Sequence, residues 1–342
     1  MKIILNKLKN ETIIANIAES SFIQESISPL NITLTSNNPG QNGGLSYLKN
    51  NTNDLNIKFI HDYYKNTFNI NLPKDTKIIF GAGTTMMIQS LYYALQKKLK
   101  KSITITTNNK IYFILHERLV ELYKNMEWYN DSENNNDLVV IVSPSNPLGI
   151  ITDLKEIKNK YILCDLIYDN PIFTGKFESV NLNLYKEFKI NKNIFITSSF
   201  SKLGIPGVRC GFLITRDNEI ANYCNEFVNL TSVRYPTANI TIGRIVFYKY
   251  YINKLWHIKN YNILQNRINE FINVSKKHGI KILNETFMVP FIYTNKSVNW
   301  WMKKFNVETR KGSDFNDTDK NSRFNLMIKE DYWIEFMRRF IK

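Results

Sequence analysis

Cysteine is scarce in this chain. Cys164, Cys210 and Cys224 are the three it has in 342 residues, and no two stand in a CxxC unit. A disulfide framework is thereby excluded, and a reducing compartment fits. Histidine is little commoner: His61, His116, His257 and His278 are widely separated and form no HExxH or zinc-like cluster, so no metal is expected. Long apolar runs are missing. Leu138 to Val142 is typical of the longest, far short of the ~20 residues that cross a bilayer. The opening MKIILNKLKNETII sets Lys and Asn where a signal peptide needs an apolar stretch. No repeat with a period of about 20 to 50 residues is present, which excludes a solenoid or propeller. These absences predict a soluble, cytoplasmic protein with no membrane partner.

The chain does have the material for a sizeable core. Apolar residues make up 43% and charged residues 22%, which excludes a disordered tail or a collagen-like rod. At 342 residues it can form one large or two ordinary domains. Lys plus Arg number 45 against 30 Asp plus Glu, a formal charge of +15. The lysines run along the whole chain rather than forming a tail. This charge permits an anionic ligand, a nucleic acid or an acidic surface without choosing among them. No zinc finger, RNP-like motif or arginine-rich arm supports a nucleic-acid partner.

Residues 29–50 are rich in Asn, Gly and Pro and read as loop, and Asp54 to Thr67 as a helix. Short apolar strands then alternate with helices: Lys77–Phe80, Ser102–Thr107, Leu138–Val142, Lys160–Asp165, Asn193–Ser198 and Gly211–Thr215 as strands, Met86–Lys98 and Tyr112–Lys124 as helices. This pattern predicts an α/β layer with a mostly parallel sheet, whose ligands sit beyond the carboxyl ends of the strands. GAGTT, SPSNPLG, DLIY and SSFSK all fall there. Asn239 to Val274 reads as long connecting helix. The last ~60 residues read as strand Thr286–Tyr293, helix Trp300–Phe305, strand Phe324–Ile328 and helix Tyr332–Phe340, an α+β second domain.

The densest polar motif is SSFSKLGIPGVRCGF, residues 198–212. Lys202 follows a strand, Ser199 and Ser201 supply hydroxyls, Gly204 and Gly207 permit close backbone approach, and Arg209 adds a fixed cation. Together they suit a phosphate beside a reactive amine. In chain order with Asn146-Pro147-Leu148-Gly149, Asp165-Leu166-Ile167-Tyr168 and Arg323 in SRFNLMI, the segment resembles the aminotransferase class I/II family of pyridoxal-phosphate (PLP) enzymes, fold type I. LSYLKN, FGAGTTMMIQS and the Arg310, Gly312, Phe315 pattern are similar to its alliinase and tryptophan-aminotransferase branch. Met86 departs from that branch, which has Gln there.

The resemblance implies a large domain over residues 46–235 with a mostly parallel seven-stranded sheet, and a small α+β domain from residues 1–45 with 236–342. It implies PLP as cofactor. Lys202 would carry it and act as the base, Asp165 would face the pyridine nitrogen, and Tyr168 and Asn146 would donate to the phenolic oxygen. Ala82, Gly83 and Thr84, at the start of a helix whose dipole favours an anion, would cradle the phosphate with Ser199, Ser201 and Arg209. Arg323, helped by Asn146, would clamp the substrate carboxylate. Tyr47, matching a tyrosine that reaches the other subunit's phosphate, implies a homodimer with shared active sites. The ring-stacking position departs from the branch, and Tyr112 or Asn109 could fill it. Asn37 to Gly40 and Gly43-Gly44 would form a lip over the substrate. Lys49, Lys110 and Arg234 are cations open to a phosphate-bearing substrate, and Phe22, Tyr47 and Tyr235 an apolar wall open to an aromatic one. The implied activity is transfer of an α-amino group from an amino acid to a 2-oxo acid. A C–S lyase or an amino-acid decarboxylase with the same cofactor is the alternative.

Overall fold

The structure is a computed structural model, and it describes residues 13–14, 22–27, 32, 54–129, 136–154, 157, 160–232 and 236–342. In chain order the strands are β1 (Ile13–Ile14), β2 (Lys77–Ala82), β3 (Ile103–Thr107), β4 (Met126–Tyr129), β5 (Leu138–Val142), β6 (Tyr161–Asp165), β7 (Ile194–Ser199), β8 (Cys210–Thr215), β9 (Phe291–Thr294), β10 (Val307–Glu308), β11 (Arg310–Lys311) and β12 (Ser322–Asn325). Seven of them form one sheet in the order β2-β8-β7-β6-β5-β3-β4. β4, β3, β5, β6 and β7 run parallel, and β8 runs antiparallel to both its neighbours. The expected α/β fold, a large mostly parallel seven-stranded sheet with a smaller α+β part, is present.

Composition explains the layering. β6 and β7 are buried at every position and β5 at all but its last, so LVVIV, YILC and IFI read as continuous apolar stretches rather than alternating ones, with polar residues gathered at the carboxyl ends of β6 and β7. The helices Thr84–Leu99 and Asn218–Ser232 pack against each other and against the β2 and β8 edge. The second of these has no counterpart in the sequence reading. Asp217 starts it, its carboxylate accepting the N–H groups of Glu219 and Ile220 at 2.9 and 3.1 Å. β4 is likewise new, and the helix read over Tyr112–Lys124 shrinks to Leu115–Val120. Here the chain must turn down into β4, and Tyr112 and Phe113 instead serve as loop residues, the Tyr112 N–H donating to the Phe315 carbonyl and the Ile114 N–H to the Asp314 carbonyl.

β9, β12 and β11 form a three-stranded antiparallel sheet, and β1 pairs in parallel with β10. Thr286–Val289 is irregular rather than strand, because Thr286 is committed elsewhere: its Oγ1 donates to the Gly149 carbonyl at 2.7 Å. Phe271, Trp301, Phe324, Phe336 and Phe340 form an aromatic core with ring centroids 4.7 to 6.4 Å apart. The connecting stretch is two helices, Thr237–Val246 and Lys254–Ser275, separated by a π-turn at Phe247–Tyr251. Tyr251 donates its hydroxyl to the Leu203 carbonyl, and Arg267 donates to the carbonyls of Leu326 and Ile328 at 2.9 and 2.6 Å.

Candidate active site

A cavity of about 230 Å³ opens where β5, β6 and β7 end. Of the residues expected at a site, Thr84, Asn146, Asp165, Tyr168, Ser201, Lys202, Arg209 and Arg323 line it. They come from six separate stretches of chain, and strand register brings them together.

Lys202 lies on the tight 3-10 turn Phe200–Leu203 that follows β7. Ser199 ends the strand and caps that turn, its Oγ accepting the Ser201 N–H at 3.2 Å. Ser199 therefore shapes the lysine turn, and it stands beside rather than in the cavity lining. Burial, and then the positive charges of Arg323, Arg209 and Arg310, lower the Lys202 amine from its ordinary 10.5 to about 8.

Asp165 ends β6 and is buried at 6% exposure. Its Oδ1 accepts the Ile167 N–H at 3.3 Å, and its Oδ2 lies 3.8 Å from His116 Nε2. His116 is itself buried, with Nδ1 3.3 Å from the Tyr92 hydroxyl. A buried carboxylate with no closer cation is suited to receive one from a ligand. Tyr168 packs edge-on to Phe291 at 5.4 Å, and burial pushes its hydroxyl pKa upward, so it stays a neutral donor. Below them Asp169 bonds Ser179 and Asn181, and Asn181 bonds Ser143 at 2.6 Å, tying the loop after β5 to the loop after β6. Burial raises the Asp169 carboxyl to about 6.

The helix Thr84–Leu99 points its N-terminus at the cavity. Gly83 precedes it at φ +86°, and any Cβ there would overlap the Arg209 guanidinium. Arg209, at φ +54°, reaches Ser201 Oγ and the Pro206 carbonyl at 3.4 and 3.1 Å. Gly83 thus makes room for Arg209 at the helix start without lining the cavity itself. Ala82 is exposed and outside the lining, and its N–H is bonded to Met86 Sδ at 3.2 Å. The methionine that departs from the branch pattern is what occupies that amide.

Arg323, on β12, is 7% exposed. Its Nη1 donates to Asn146 Oδ1 at 3.0 Å, and its guanidinium stacks over Phe291 at 3.9 Å and Phe315 at 5.1 Å. Its Nε has no partner among the described residues, and burial lowers its pKa to about 10. The Asn146 turn is set by Ser145, whose Oγ accepts the Ile150 N–H at 3.0 Å.

The two residues open for ring stacking, Tyr112 and Asn109, both lie off the cavity. Tyr112 is turned away, its hydroxyl between Glu117 and Trp128 at 2.9 Å each, and Asn109 is also outside the lining. Phe113 and His116 line the cavity in their place. Neither was singled out beforehand: Phe113 lies in the loop before the short helix and His116 in its first turn. Lys110 is exposed and outside the lining. Tyr47, the lip residues 37–40 and 43–44, Lys49, Arg234 and Tyr235, and the side chain of Phe22, lie outside the described residues.

The model of the aminotransferase class I and II family matches residues 41–306. A 1-aminocyclopropane-1-carboxylate synthase of Solanum lycopersicum is 28% identical over 176 residues, 48% of this chain and 35% of that one. An aspartate aminotransferase of Sulfolobus acidocaldarius is 34% identical over 122 residues, 29% of this chain and 30% of that one. The chain spans about a third of the length of these curated relatives. Among solved structures, a Methanococcus jannaschii protein with an active site similar to kynurenine aminotransferases superposes with a TM-score of 0.75. Its identity is 18%, with 98% of this chain and 92% of that one covered. Among the described residues no helix is long and apolar enough to cross a membrane.

Proposed function

We propose that this chain, which belongs to the aminotransferase class I and II family, uses PLP to move the α-amino group of an amino acid to a 2-oxo acid or related carbonyl acceptor. The observation that carries this reading is the amine of Lys202, lowered to about 8 in a cavity that also holds a buried carboxylate and a buried guanidinium. The residues fit the cofactor: Asp165 has no cationic nitrogen among the described residues nearer than His116 Nε2 at 3.8 Å, the helix start at Thr84 with Arg209 suits a dianion, and Gly83 leaves the Arg209 guanidinium free of a Cβ. Bound there, PLP supplies an electron sink for the bond broken at the amino acid's α-carbon.

Each residue then has a task. Lys202, neutral in a good fraction of molecules near pH 8, is the nucleophile that holds the cofactor and the base that takes the α-proton. Asp165, kept in place by His116 and the Ile167 amide, holds the ring nitrogen in its protonated form. Tyr168 and Asn146 donate to the phenolic oxygen. Thr84, Ser201 and Arg209 hold the phosphate. Arg323, aligned by Asn146, takes the substrate α-carboxylate as a two-pronged partner. Phe113 covers a ring face. The large domain is residues 46–235 and the small domain residues 1–45 with 236–342. The protein acts in the cytoplasm as a homodimer in which Tyr47 reaches the partner's phosphate.

The deciding experiment mixes the cofactor-loaded protein with an amino acid and no acceptor. Amino transfer releases one oxo acid per site and no ammonia. Continuous release of ammonia, or of carbon dioxide, replaces this reading with the lyase or the decarboxylase.

A further inference from the structure

Arg310 has no task in the reading above, although it lines the same cavity. β11 and β12 are antiparallel, and their register sets Arg310 directly opposite Arg323. Directly opposed residues lie on one face with Cβ atoms about 5 Å apart, and like charges there are destabilising. Each arginine is nonetheless held toward the cavity. Arg310 donates from Nε to Asp314 Oδ2 at 2.9 Å and lies over the Phe113 ring at 4.9 Å. The Asp314 contact uses only the Nε edge, and neither terminal nitrogen has a partner among the described residues. Glu308 and Asp319 border a neighbouring hollow with Arg310 but do not bond it, and Asp319 is taken by the Ser313 N–H at 2.8 Å.

Among the described residues the cavity therefore presents Lys202, Arg209, Arg310 and Arg323 against Asp165 as its one lining carboxylate. With Arg209 at the phosphate and Arg323 at the α-carboxylate, one guanidinium fork is left. It is aimed, steadied by an acid and an aromatic ring, and set beside the α-carboxylate position.

We infer that the substrate carries a second anionic group beyond its α-carboxylate, a carboxylate or a phosphate-type group at the end of its side chain, and that Arg310 binds it. This rests on the amino-transfer reading for the place of the α-carboxylate. Arg310 is a specificity residue: it selects among amino acids and leaves the proton transfers to Lys202.

The test uses the cofactor-loaded protein and unreactive probes, followed by calorimetry and by the visible band of the lysine-bound cofactor. Glutarate is compared with valerate, and 3-phosphonopropionate with butyrate. Glutarate or the phosphonate should bind about 10- to 100-fold more tightly than its monoanionic partner, as a charge-assisted contact requires, and whichever shows the larger ratio names the second group. Arg310→Gln should abolish the ratio while leaving valerate and butyrate binding within about twofold, and Arg310→Lys should restore part of it. The melting temperature of Arg310→Gln without ligand should equal or exceed the wild type's, since a like-charge pair is removed. Equal loss of mono- and dianion binding would mean that both arginines grip one carboxylate. A lower melting temperature with an unchanged ratio would make Arg310 a structural ion-pair partner of Asp314. Either result overturns the inference. Absence of the visible band would count against the cofactor reading instead, which keeps the two failures apart.

Discussion

Replacing Lys202 with Met in the cofactor-free protein should make it more stable at neutral pH. The amine titrates near 8 instead of 10.5 because burial, Arg323, Arg209 and Arg310 all disfavour its charge. The unfolded chain therefore binds this proton more tightly than the folded one, and stability rises with pH between about 8 and 10.5. Below pH 8 the full cost is present, and the gap between the two values corresponds to about 3 kcal/mol. At pH 9.5 the same linkage leaves about 1.4 kcal/mol. Methionine keeps the apolar stem and drops the charge. Guanidinium denaturation of wild type and Lys202→Met should then differ by about 3 kcal/mol at pH 7 and by about half that at pH 9.5. For a chain of this length the neutral-pH difference amounts to about 4 °C in melting temperature. Other groups that titrate in this range are common to both proteins and cancel. A difference that does not change with pH, or a variant less stable at pH 7, would refute the electrostatic account of this lysine.

Capture of PLP by the cofactor-free protein should accelerate as pH rises through about 8, following the neutral amine, measured by growth of the visible band in stopped flow. Arg323→Met should move that midpoint upward, since Arg323 is the largest charge acting on Lys202. Arg323→Ala should raise KM for amino acids about 10- to 100-fold, with Arg323→Lys recovering part, because an ammonium lacks the planar fork. Gly83→Ala should weaken PLP retention on dialysis by at least tenfold, as the methyl displaces the Arg209 guanidinium and must adopt φ +86°. The fold should survive, and an unchanged retention would remove Arg209 from the phosphate.

Much of this was legible from the chain itself, for physical reasons that differ by element. β5 matches its reading residue for residue because LVVIV allows no other use. The motif residues at strand ends were legible because polar residues there have one place to point. Three features were not. The helix Asn218–Ser232 hides behind the weak apolar spacing of Ile220, Ala221, Cys224 and Val228, and its plainest signal was the cap at Asp217. His116 looks in sequence like any lone histidine, and only the approach of a distant strand end gives it Asp165. Arg310 and Arg323 are 13 positions apart, and their opposition depends on strand register, which spacing does not state. Ser199 and Ala82 were assigned by their neighbours in a motif. The hydrogen bonds they make locally, to Ser201 and Met86, are not written in the motif.

The helix Lys254–Ser275 links the turn of Lys202 to the strand of Arg323. Before its first turn, Tyr251 holds the carbonyl of Leu203, next to Lys202; toward its far end, Arg267 holds the carbonyls just past the strand of Arg323. Helical rise is about 1.5 Å per residue, so the span between these two anchors works as a ruler, its graduations counted in residues. Adding or removing one residue between positions 254 and 266 would shift the Arg267 anchor along the axis and swing it about 100° around it. The lysine turn and the Arg323 strand would then stand at a different spacing, which under the amino-transfer reading selects a different length of substrate, with no change to any side chain in the cavity. Helix length here is a dimension of specificity.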